Sequence, residues 1–304
     1  MLMTDATGFP AEPHLLRGRS AGHLLPDLAE RSFAWRGTRL RYYARDDAAG
    51  ATVDGLPPLL LVHGFGGGAW NFSELVPLLP GRALLIPDLP GHGGSPPLPD
   101  ASSLAGFADA LAALCSYEGH GQVDVLGHSL GGTIGLRLAV RRPALVRRLV
   151  LAAAAGLSSS GRGSEAFIRA VGLIQPGRLA ALRTEQVAGS PRLRRLVFSR
   201  FTVSDARALS ARSVRGFLAP TLDHSDALGA GLALVAEELR GDLGRVHCPT
   251  LLLWGARDRQ VPLADGFELA RLLGAPLRTI ADCGHLLIGE RPDACVAAIE
   301  DFCD

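Results

Sequence analysis

Val123-Asp124-Val125-Leu126-Gly127-His128-Ser129-Leu130-Gly131-Gly132-Thr133-Ile134-Gly135-Leu136 is the stretch on which the reading of the fold turns. It opens with a short run rich in β-branched residues, passes through a Gly-x-Ser-x-Gly pentapeptide and continues into a helical pattern. A strand, a sharp turn and a helix in that order put Ser129 at the carboxyl end of a buried strand. The flanking glycines permit a turn that larger side chains would block. The pentapeptide alone is weak evidence, because a glycine-rich chain matches it by chance. Gly18-Arg19-Ser20-Ala21-Gly22 matches it too, but no strand precedes it and Pro26 follows soon after, so it is read as coincidence.

Outward from this stretch the chain alternates short apolar runs with helical patterns, the signature of βαβ units and a mainly parallel sheet. Strands are expected at 59–62, 83–86, 122–126, 148–153, 250–254 and 276–280, and helices at 72–79, 104–117, 131–140, 265–273 and 293–302. The strands are continuous apolar runs, as suits strands covered by helices on both faces. Phe33-Ala34-Trp35 and Leu40-Arg41-Tyr42-Tyr43, joined across Gly37, read as an opening antiparallel hairpin. Residues 1–31 read as an N-terminal arm with a short helix near 24–30. Residues 32–156 and 246–304 form the core. Between them, 157–245 has helical patterns, no strand-like run and many arginines, and is expected to be an inserted helical cap, or lid, over the carboxyl ends of the strands.

Composition narrows the function classes. The chain has 304 residues, 47% of them hydrophobic, enough to bury one large core. Its 31 basic and 30 acidic residues leave a net charge of +1, so no global field draws in nucleic acid, and the expected partner is a small molecule. All the basic residues are arginine, a bias of composition rather than a binding device. No segment stays apolar for the ~18 residues a membrane span needs. The N-terminal stretch, with its acid and prolines, fits neither a signal peptide nor an anchor. Cys115, Cys248, Cys283, Cys295 and Cys303 are odd in number and contain no Cys-x-x-Cys pair, which speaks against a disulfide framework or zinc site and for a reducing cytoplasm. Composition says nothing of oligomeric state.

A serine hydroxyl needs a base, and the base needs an orienting group. Asp258 follows the run Leu251-Leu252-Leu253-Trp254, and His285 follows the next expected strand through Asp282-Cys283-Gly284. Three neighbouring strand ends could thus bring Ser129 as nucleophile, His285 as general base and Asp258 as orienting carboxylate together. The competing readings are a helix-capping serine, a loop histidine and a carboxylate capping the helix after Pro262. Asp282 is too close in sequence to His285 to approach its ring and ranks as structural. At the start of the helix after Ser129, the Leu130 backbone N–H would face a developing oxyanion.

Taken together, these motifs resemble the α/β-hydrolase superfamily over residues 32–304, least so in the insertion. The resemblance rests on Gly127 to Gly131, on His63-Gly64-Phe65-Gly66, on Pro87-Asp88-Leu89-Pro90-Gly91-His92-Gly93-Gly94-Ser95, and on Gly284-His285 with Glu290-Arg291-Pro292. It implies an eight-stranded, mainly parallel sheet flanked by helices, and Phe65 N–H as a second oxyanion donor beside Leu130. It implies no metal or organic cofactor. His63, Gly64, His128 and Leu286 complete the expected substrate-binding set, with His63 and His128 as packing and hydrogen-bonding groups rather than proton carriers. His92 shapes its glycine turn and Asp88 holds loops together.

The implied chemistry is cleavage of a carboxylic ester or lactone with an apolar part. Serine at 129 argues against branches similar to haloalkane dehalogenases and epoxide hydrolases, which use aspartate there. Carbon–carbon bond hydrolases resemble this chain in His-Gly-Phe-Gly but place tryptophan where Leu286 stands. Cofactor-free haloperoxidase or lyase chemistry on the same three residues is a further alternative. From another class comes a ligand-binding protein that keeps the fold without turnover.

Overall fold

Strands β1 (Ala29–Trp35) and β2 (Thr38–Arg45) form the opening hairpin, with Trp35 opposite Thr38. Arg36 and Gly37 make the two-residue turn at φ 47° and 77°, the left-handed pair that matches strand twist. The computed structural model describes residues 24–46, 55–158, 165–166, 168–170 and 176–303, so the Gly18 to Gly22 pentapeptide and most of the expected arm lie outside the described residues.

After the hairpin come β3 (Leu59–Val62), β4 (Leu84–Pro87), α1 (Leu104–Tyr117), β5 (Val123–His128), α2 (Leu130–Arg141) and β6 (Val146–Ala152). Helices α3 (Pro176–Ala181), α4 (Thr184–Gly189), α5 (Pro191–Val197), α6 (Ala211–Leu218) and α7 (Ala227–Val235) follow. The chain closes with β7 (Thr250–Gly255), α8 (Leu263–Leu273), β8 (Leu277–Ile280), α9 (Leu287–Glu290) and α10 (Pro292–Cys303). The eight strands form one sheet in the order β1-β2-β4-β3-β5-β6-β7-β8. The β1–β2 and β2–β4 pairs are antiparallel and the remaining pairs parallel. Every residue of β3, β4, β5 and β7 is buried, as strands with helices on both faces require.

Two local expectations are corrected. Residues 24–30 are a turn running into β1 rather than a helix. Pro26 interrupts a helix there, and Ala29 and Glu30 pair with Ala44 and Tyr43, so sheet pairing overrides local propensity. The stretch 72–79 is not one α-helix. Two 3₁₀ turns, Ala69–Phe72 and Val76–Leu78, stand in its place, because Pro77 removes a backbone donor in the middle of the run.

Between β6 and β7 the described residues form helices and no strand. Ala181, Val187, Phe198, Val203, Leu209, Val214 and Leu218 gather there in a hydrophobic cluster separate from the main core, with Phe217 and Leu286 packed against it. Several arginines of this region are engaged structurally. Arg215 bonds Glu185, Arg207 bonds Asp205, and Arg194 donates to the Leu209 carbonyl. Arg162 lies outside the described residues. Among the described residues no helix is long and apolar enough to cross a membrane.

At the end of β5 opposite Ser129, the fully buried Asp124 accepts from Arg147 (Nε to Oδ1, 2.8 Å) and from Arg82. Arg147 also donates to the Cys303 carbonyl at 2.6 Å, which ties β5, β6 and the end of α10 together. Removing one partner of such a network leaves buried charge uncompensated. Asp124→Ala is expected to lower unfolding free energy by roughly 3 kcal/mol, measured by chemical denaturation with an unchanged dependence on denaturant.

Candidate active site

The turn after β5 is built by close approach. A Cβ on Gly131 would stand 2.2 Å from the Val62 carbonyl oxygen, so no larger residue fits without moving β3. Ser129 sits at φ 55°, ψ −118°, a strained conformation for a residue with a side chain. Its N–H donates to the Ala152 carbonyl at 2.9 Å, and its own carbonyl accepts from Gly132 and Ala155. The elbow thereby lifts the Ser129 hydroxyl off the sheet while its backbone stays anchored to β6.

His285, from the loop after β8, turns its ring to this hydroxyl. Its Nε2 lies 3.0 Å from Ser129 Oγ and its Nδ1 lies 2.8 Å from Asp258 Oδ2. The other Asp258 oxygen accepts the N–H groups of Gln260 and Val261, both at 2.9 Å. A carboxylate so supplied with donors stays an acceptor, so Nδ1 carries the proton and Nε2 is left to accept from the serine O–H. All three residues are buried. Asp282 forms a surface ion pair with Arg257 instead.

The remaining expected residues fall around this line. Gly64 touches it, since a Cβ there would stand 3.1 Å from Ser129 Cβ. Phe65 follows in the same loop, and its ring meets Gly231 of α7. Leu130 begins α2, where a backbone N–H has no partner within the helix. Among the described residues neither the Phe65 nor the Leu130 N–H has an acceptor. His128 Nε2 donates to the His285 carbonyl at 2.9 Å. Leu286 packs against the apolar cluster of the helices between β6 and β7.

His63 and Asp88 organise the loops. The Leu89 N–H donates to His63 Nε2 at 2.9 Å, leaving Nδ1 to donate to the Gly64 carbonyl. Asp88 accepts from Arg41, Ala69 and Gly94. The His63 and His92 rings meet tilted, with centroids 5.2 Å apart, and the His92 and His224 rings edge-on at 5.1 Å, and Gly93 N–H donates to His224 Nδ1 at 3.0 Å. Burial holds His63 down to about 4 and His92 well below the ordinary imidazole value. Burial and the neighbouring His285 push His128 down to about 3, and burial also lowers His224.

Sequence reasoning missed the contacts made by the helical region between β6 and β7. The Thr202 carbonyl accepts from His285 N–H (3.0 Å) and Leu286 N–H (3.3 Å), and Asn71 donates to the Gly216 carbonyl at 2.9 Å. These contacts are made by main-chain carbonyls, which carry no residue-type signal. Glu290 was visible in the Glu-Arg-Pro run, but nothing local indicated that it faces residues 204 and 284.

A doubly flanked, mainly parallel sheet with a strained serine after its central strand and an imidazole–carboxylate pair beside it defines an α/β-hydrolase. The model of the Alpha/beta hydrolase family matches residues 59–298, and the chain belongs to that family. It is 35% identical over 250 residues to the pimeloyl-[acyl-carrier protein] methyl ester esterase of Aromatoleum aromaticum, covering 81% of this chain and 97% of that one. It is 34% identical to the magnesium-chelatase 30 kDa subunit of Rhodobacter capsulatus, covering 81% and 86%. A hydrolase structure from Pseudomonas aeruginosa PA01 superposes with a TM-score of 0.69 at 26% identity, over 91% of this chain and 98% of that one.

The four depressed imidazoles set a pH dependence of stability. Below about 6.5 the unfolded chain takes up protons that these buried rings refuse, so stability falls as pH drops from about 6.5 toward 4. Above that window they contribute no slope. Thermal melts across pH 4–9 are expected to show this fall, with a shallower slope in His92→Gln because one refused proton is gone.

Proposed function

We propose that this hydrolase cleaves a carboxylic ester or lactone through an acyl-enzyme on Ser129. The observation that carries the reading is the continuous line Ser129 Oγ, His285 Nε2, His285 Nδ1, Asp258 Oδ2, at 3.0 and 2.8 Å. His285 takes the serine proton as Oγ attacks the carbonyl carbon. The resulting oxyanion is held by the N–H groups of Leu130 and Phe65. When the tetrahedral species collapses, His285 hands its proton to the leaving alcohol oxygen. A water then repeats the sequence on the acyl-enzyme and releases the acid. Asp258 keeps the imidazole in the accepting tautomer and offsets the charge it gains in each transfer.

The helical region 157–245 is read as a lid. Phe65 against α7 and Leu286 against the inserted cluster set apolar side chains along the seam between core and insertion, which suits a substrate with an apolar acyl or alcohol part. The name of the relative from Aromatoleum aromaticum, a methyl ester esterase, supports an ester as the bond cleaved.

Incubation with a fluorophosphonate should give an adduct on Ser129 by mass spectrometry, and p-nitrophenyl esters should be turned over. Ser129→Ala should lose the adduct and at least about 10⁴-fold in kcat; Asp258→Asn should lose on the order of 10³–10⁴-fold. A panel of esters, lactones and vinylogous diketones then ranks the substrate classes. An unmodified Ser129 together with absent turnover would sink the reading in favour of a non-catalytic binding protein.

A further inference from the structure

The base sits on a loop whose backbone is held from outside the sheet. A Cβ on Gly284, the residue before His285, would stand 2.6 Å from the Ser204 nitrogen and 2.8 Å from Val203 Cα, so the inserted region lies directly on that loop. Thr202 takes the N–H groups of His285 and Leu286. The Glu290 carboxylate spans the same junction. Its Oε1 accepts from Gly284 N–H at 2.9 Å and its Oε2 from Ser204 N–H at 2.8 Å.

We infer that Glu290 is a positioning residue: its two oxygens clasp the histidine loop to the inserted region, so that docking of residues 202–204 sets the aim of the His285 ring. The inference rests on the reading of His285 as base. Glu290 is 4% exposed, and a carboxylate is retained in such a place only when donors satisfy it. Burial raises its pKa, while the N–H bonds and Arg291 pull the other way. The ionisable groups facing it are Cys283 and Arg291, with the backbone N–H of Asp205 also turned to it, and beyond the loop His285 faces Asp258 and His128. Neither Glu290 oxygen bonds the hydroxyl, imidazole or carboxylate of the reacting line, so its effect passes through the backbone of residues 284 and 285. Freeing the insertion at Ser204 therefore also frees the segment that carries the base.

The test uses full-length Glu290→Gln and Glu290→Ala. Glutamine keeps the volume but turns one acceptor into a donor facing an N–H, while alanine removes both acceptors. In both, the ring signals of His285, followed by NMR, are expected to shift and broaden relative to the unaltered protein, because the ring is less firmly seated. Ester turnover should fall about 10–100-fold in kcat with a smaller change in KM. Trypsin should cut after the exposed Arg200 faster than in the unaltered protein. If alanine prevents folding, the glutamine variant is read alone. Unaltered His285 ring signals, kcat and trypsin resistance in the variant that folds would overturn the inference. Should the unaltered protein fail to turn over esters, the proposed function falls, while the ring signals and the proteolysis still decide the clasp.

Discussion

Much of this molecule depends on one strained turn. Ser129 is held at positive φ between a strand that ends and a helix that begins, in a conformation that costs about 1–3 kcal/mol for a residue with a side chain. It persists because its backbone is bonded to Ala152, Gly132 and Ala155 and because Gly131 lies against β3 at a distance that admits no side chain. The strain is thus spread over the middle of a fully buried parallel sheet. The network around Asp124 braces the opposite end of β5. Pinned at both ends, the strand presents its hydroxyl in a fixed direction.

Around this point the protein collects imidazoles and keeps several of them uncharged. His63, His92 and His128 are fully enclosed, and each hydrogen bond they make is compatible with a neutral ring. Their dipoles shape the loops that carry Gly64, Phe65 and the glycine turn at residue 93 without adding charge beside the carboxylate of Asp258. His285 differs from them in facing that carboxylate directly. The site therefore separates structural imidazoles from the one paired with an acid, and the separation is made by burial and partner rather than by residue type.

The helices between β6 and β7 have their own apolar cluster, and their contacts with the core include backbone ones at two loops. Residues 202–204 lie on the histidine loop, and Gly216 lies on the turn that follows Phe65. Both loops carry groups of the proposed mechanism. Glu290 supplies a polar part of the contact on the histidine side.

How much of this was readable in advance follows from the range of each interaction. The strand, turn and helix around Ser129 were legible because their signals are local: β-branched residues, glycines at fixed spacing, apolar residues at helical period. The order serine, aspartate, histidine along the chain also sufficed to nominate the three residues that converge. Local signals failed at residues 24–30, where a turn runs into β1 in place of an expected helix, and at 72–79, where Pro77 prevents one. Only the tertiary structure decided that His128 bonds the His285 carbonyl and that Glu290 bridges to Ser204. Those outcomes depend on distances between segments far apart in the chain and on main-chain carbonyls and amides, which every residue possesses and no sequence pattern distinguishes.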